Sequence, residues 1–146
     1  MSEMLANHYF MIRNYTEAVN TYESVIAKTG ISKAIRKKMI ICYVRIYQIE
    51  KALAEFCGLV EDDVQFIINT DLTADDCPCP EIISEIENDE INFEGGQKDL
   101  AMGILWLYCD VKISLKHLSI YLKSSPNNSE LNKAYQIIKA YSQNTN

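Results

Sequence analysis

The sequence predicts an all-α chain of antiparallel helix pairs stacked one on another. Three observations carry this. The stretch from Leu5 to Val60 contains one apolar pattern twice at a constant interval: Leu5 recurs as Met39, Tyr9 as Tyr43, Ala18 as Ala52, Tyr22 as Phe56, Val25 as Leu59 and Ile26 as Val60, the offset being 34 in every pair. Within each copy the apolar residues fall three and four apart, which puts one stripe on each helix. Gly (5) and Pro (3) are scarce while 48% of residues are hydrophobic, which favours long helices over loops. A helical hairpin with one apolar stripe per helix cannot bury it alone, so a fixed period implies stacking on a neighbour.

The elements follow in order. A first helix is expected over 3–12, a turn at Asn14, a second helix over 15–28 and a stop at Gly30. Ser32 can cap a third helix reaching Tyr47, and Arg36-Lys37-Lys38 near its start oppose the helix dipole there. A fourth helix over 49–59 completes the second copy. Small Ala18 and Ala52 let paired helices approach, with Tyr22 and Phe56 filling the space beside them.

This pattern resembles the tetratricopeptide repeat (TPR), a helix-turn-helix unit of about 34 residues. The match is Leu5-Ala6-x-x-Tyr9 followed by Tyr15-x-x-Ala18-x-x-x-Tyr22-x-x-Val25-Ile26, echoed as Met39-Ile40-x-x-Tyr43 and Ala52-x-x-x-Phe56-x-x-Leu59-Val60. No Trp opens either repeat, Gly30 stands where the family favours Pro, and Ile40 replaces a smaller residue. The resemblance implies a TPR-like α-solenoid over 1–146, with repeats over 3–30 and 32–60.

After Val60 the interval fails, since Ile86 and Glu90 occupy the positions due a small and an aromatic residue. The stretch 61–96 therefore reads as an insertion, with short helices over 63–69 and 80–88 and loops over 70–79 and 92–96. Pro80 suits a first helical turn. From 97 to 126 a divergent repeat returns: Leu100 to Leu107 is strongly apolar, and Ser114 follows Ala52 at an offset of 62, one period plus 28. Pro126-Asn127-Asn128-Ser129 is a turn into a last helix over 129–142, whose Lys133, Gln136, Lys139 and Gln143 give it the polar outer face of a terminal cap. The tail 142–146 is expected to fray.

Charge is distributed unevenly. Glu61 to Asp99 holds thirteen acids and one base, Lys98, a net −12, whereas the remainder holds seven acids and thirteen bases, a net +6, giving −6 for the chain. An acidic middle disfavours nucleic acid and favours a basic partner, or simply keeps the insertion soluble. The start shows no leader pattern and no apolar run reaches a membrane span, so a cytoplasmic location is expected.

Chemistry-bearing groups are few. His8 and His117 are expected as ordinary surface or core histidines, and no nucleophile elbow or phosphate loop is present. No enzyme activity and no cofactor are expected. The five cysteines show no disulfide spacing: Cys42, Cys57 and Cys109 fall in helical patterns as small core residues. Cys77-Pro78-Cys79-Pro80 places two thiols one residue apart, a weak metal candidate, since a closed zinc site wants four ligands.

The family resemblance implies a concave groove for a peptide or protein partner, lined by the first helix of each repeat. Carried onto this sequence, it comprises Glu3, Asn7, Phe10 and Met11, then Lys37, Ile41, Val44 and Arg45, then Asp99, Gly103, Trp106 and Leu107. The carboxylate clamp of chaperone-binding members is not implied, because of its positions only Asn7 agrees; Glu3, Lys38, Gly96 and Leu100 depart. The alternatives are a homo-oligomer that joins a second copy through the same apolar faces, or a metal- or thiol-responsive module at Cys77 and Cys79.

Overall fold

The computed structural model describes residues 2–144. Among these are eight helices and no strand: α1 (Glu3–Met11), α2 (Tyr15–Thr29), α3 (Lys33–Arg45), α4 (Ile49–Ile68), α5 (Cys79–Glu87), α6 (Gln97–Trp106), α7 (Val111–Ser124) and α8 (Ser129–Asn144). None of them is long and apolar enough to cross a membrane. The chain forms two compact units, Met1–Glu55 and Phe56–Asn146. α4 contributes its start to the first and the rest to the second.

In the first unit α2 packs against both α1 and α3. Each helix begins on a side-chain cap: Ser2 Oγ accepts from Leu5 N at 3.1 Å, Asn14 Oδ1 from Glu17 N at 3.3 Å and Ser32 Oγ from Ile35 N at 3.2 Å. Gly30, at φ +81, ends α2 in a conformation that favours glycine. The core contains Ala6, Phe10, Ala18, Val19, Tyr22, Val25, Ile35, Met39, Ile40 and Tyr43.

The interval of 34 is also written into the backbone. At the end of α1, Ile12 N–H donates to His8 O, Arg13 N–H to Phe10 O and Asn14 N–H to Tyr9 O; at the end of α3, Ile46 donates to Cys42, Tyr47 to Val44 and Gln48 to Tyr43. The pairs of bonds from the last two residues, with Arg13 and Tyr47 both at φ 65, are Schellman turns. The same bonds recur around Asp76 (φ 49) and Asp89 (φ 59). α2 and α4 begin at Tyr15 and Ile49, again 34 apart, whereas α1 and α3 begin only 30 apart, so α1 is the shorter of the two.

Leu5 departs from its repeat partner: it is 36% exposed, against 3% for Met39. On α3 the side that carries Met39 and Cys42 is covered, and Cys42 lies close enough to Tyr22 of α2 to perturb it electrostatically. The matching side of α1 bears Leu5, His8 and Ile12, all exposed.

In the second unit α5 packs on α6, α6 on α7 and α7 on α8. The expected separate helices over 49–59 and 63–69 appear as the two parts of α4, divided at Asp63, whose extended backbone (φ −165, ψ 81) breaks the helix. The tightest crossing is between α6 and α7. A Cβ built on Gly103 would lie 2.4 Å from Leu118 Cδ2 and 3.2 Å from Leu118 N, and the Ser114 hydroxyl donates to Gly103 O at 2.6 Å. Asp110 Oδ1 caps α7 by accepting from Lys112 N and Ile113 N, and Asn128 Oδ1 accepts from Leu131 N in α8. α8 runs on to Asn144, past the residue where fraying was expected to begin; Thr145 and Asn146 lie outside the described residues.

Candidate functional site

In the first unit the predicted groove residues separate into a surface and its support. Met11 is 59% exposed, while Asn7, Lys37 and Arg45 are half-buried. Phe10 (3%), Ile41 (2%) and Val44 (0%) are core residues, leaving almost no side-chain surface for a ligand. Sequence spacing placed them on the first helices correctly but could not show that α3 is covered on nearly every side.

The surface residues are held by contacts that cross between helices. Asn7 Oδ1 accepts hydrogen bonds from the Tyr22 hydroxyl and from Lys38 Nζ, the latter at 3.1 Å. Lys38 Nζ also stands 5.8 Å from the centre of the Phe10 ring, and Arg45 Cζ 5.9 Å from that of Tyr15, both within cation–π range. Desolvation first, then Cys42 and Glu3, raise the Tyr22 pKa above the ordinary tyrosine range, so its hydroxyl remains a donor to Asn7. Arg36 Nε is 3.3 Å from Glu55 Oε2.

Sequence reasoning passed over Met4, at 81% the most exposed large apolar residue among the described residues, and gave Lys38 no place on the face. The signal was present: Met4 and Lys38 are 34 apart, as are Met11 and Arg45. It was hidden because the repeat was aligned on its buried stripe.

In the second unit, Asp99 and Trp106 are half-buried and Gly103 is buried at the α6–α7 crossing. Asp99 Oδ1 is 3.0 Å from His117 Nδ1, which ties α6 to α7. Trp106 Nε1 is buried without a hydrogen-bond partner among the described residues. A depression of about 230 Å³ between α7 and α8 is lined by Ser119, Leu122, Lys123, Asn132, Tyr135 and Gln136.

The cysteine segment turns inward. Cys77 is 9% and Cys79 0% exposed, and Asp71 Oδ1 braces the preceding turn by accepting from Thr73 N and Ala74 N. Among the described residues no three His, Cys, Asp or Glu side chains gather to hold a metal ion. Cys42 and Cys57 are buried as expected, whereas Cys109, in the turn after α6, is exposed. Burial pushes the thiols of Cys42 and Cys57 up to about 12, so neither is a ready nucleophile. Although Cys109 as a residue is exposed, desolvation and then Cys77 and Asp110 push its thiol up to about 11.

Comparison with protein-family models, curated proteins and solved structures finds no match. What the first unit offers chemically is a contact surface, with exposed thioethers on α1 beside fixed cations on α3.

Proposed function

We propose that the chain is a non-enzymatic, cytoplasmic adaptor of TPR-like solenoid type, which holds a segment of another protein on the face shared by α1 and α3. The observation that carries this reading is the repetition of the helix ends of α1 and α3 at an interval of 34, bond for bond. Together with the sequence interval of 34, it supports reading α1–α2 and α3–α4 as two copies of one hairpin, whose first helices present Met11, Lys37 and Arg45. The −12 segment from Glu61 to Asp99 is then a second contact region, suited to a basic partner.

The test is site-specific crosslinking in a lysate of the source cells, with a benzophenone amino acid at Met11 or, as a control, at exposed Lys28 on α2. One protein crosslinked from Met11 and not from Lys28 is the expected result. Equal crosslinking from both positions, or none, would remove the reading.

Exposed Met4, Leu5, Met11 and Ile12 on α1 favour a second reading, in which the occupant is another copy of the chain. Sedimentation separates the two: a species of twice 16.7 kDa, lost on Met11→Ser, would support self-association.

A further inference from the structure

The face of α1 and α3 carries two different rows. Met4 and Met11 lie seven residues apart on α1, and the same repeat positions of α3, at the offset of 34, are Lys38 and Arg45. Seven residues are two helical turns, so each row spans roughly 10 Å along its helix. One row is apolar and exposed; the other is cationic and half-buried.

The cations are positioned rather than trailing in solvent. Lys38 is drawn toward α1 by Asn7 Oδ1 and the Phe10 ring, and Arg45 lies over Tyr15. A lysine ammonium has three N–H donors, and Asn7 takes one. α3 carries Lys33, Arg36, Lys37, Lys38 and Arg45 and no acid at all. The first unit as a whole has eight bases and five acids, a net +3, in a chain of net −6. Lys33, Arg36, Lys37 and Lys38 fall in its first two turns, and Arg36 Nε is already 3.3 Å from Glu55 Oε2.

We propose that this face binds an acidic segment of a partner protein, with carboxylates on Lys38 and Arg45 and apolar side chains on Met4 and Met11. The inference rests on the adaptor reading and specifies its ligand. The row length sets the ligand's pattern: two carboxylates two turns apart on one face of a helix. Nucleic acid fits less well, because the methionine row offers no flat surface for stacking.

The test uses the full chain and two labelled synthetic helical peptides that share a leucine row, one with Glu and one with Lys at positions seven apart. Fluorescence anisotropy reads binding, and circular dichroism checks each variant. The Glu peptide is expected to bind, more tightly at low salt, and the Lys peptide not to bind. Lys38→Gln/Arg45→Gln should weaken the Glu peptide by roughly tenfold or more, as two charge-assisted bonds are lost. If Lys38→Gln disturbs the fold through Asn7, Arg45→Gln alone supplies the comparison.

Unchanged affinity in the folded charge variants would overturn the proposal. Equal binding of both peptides, lost in Met4→Ser/Met11→Ser, would overturn the acidic preference while leaving the adaptor reading in place. No binding of either peptide even at millimolar concentration would overturn both. Tighter binding of a single-stranded oligonucleotide would reassign the face to nucleic acid, and self-association lost on Arg45→Gln would reassign it to a second copy.

Discussion

Gly103 has far less room than Gly30, Gly95 or Gly96. Adding a methyl group there brings it against Leu118 at both side chain and backbone, so Gly103→Ala should force α6 and α7 apart. The overpacking costs about 1–3 kcal/mol, against about 1 kcal/mol gained in helix propensity, and a net loss should appear as a lower urea midpoint. The thiols make a second test at this scale. Only Cys109 is exposed, so a native thiol assay should find one reactive group per chain, reacting slowly, and all five after denaturation. Two equally fast thiols would mean that the segment around Cys77 opens. The buried small residue at position 114 was legible from its distance to Ala52, and Ser114 is fully buried. Gly103 was not: its place on a first helix suggested ligand contact, whereas its missing side chain serves helix packing. No sequence interval reports how closely two helices cross.

The elements were easier to read than their ends. Caps at Asn14 and Ser32 followed from residue type and position, and the structure forms both. The Schellman turns were missed because a left-handed residue is usually flagged by glycine, and here Arg13, Tyr47, Asp76 and Asp89 fill that place. Asp89 is exposed. Asp89→Gly removes left-handed strain and should raise stability by about 0.5–1 kcal/mol after the entropy cost of glycine, or a few degrees in Tm. By contrast, the Lys133–Glu61 pair joins α8 to α4 at 2.7 Å, but both side chains are more than half exposed. Lys133→Ala should therefore shift stability by less than about 1 kcal/mol, read by the same denaturation curve.

Over the whole molecule, the titrating groups with raised values bear on alkaline stability. Desolvation holds Cys42, Cys57 and Tyr43 up at about 12, above ordinary values of 9.0 for the thiols and 10.0 for the tyrosine. Between those limits the unfolded chain has released protons that the folded chain keeps. Stability from these groups is therefore whole below about pH 9 and is lost as pH rises toward 12. Thermal melts from pH 7 to 11 should show a Tm that is level at first and then falls; a level Tm throughout would mean that these groups are solvated. The all-helical class was legible at this scale because periodicity and composition agree. The two compact units were not, since no glycine-rich or proline-rich linker marks Glu55–Phe56, which lies inside α4. The cation-rich start of α3 bears on how this helix forms. Without an acid in its first turn and with Lys33, Arg36 and Lys37 against its dipole, α3 has little reason to be helical by itself. A peptide spanning 31–47 should be largely unstructured in water by circular dichroism, so that α3 takes its helical shape against α2, on which it packs.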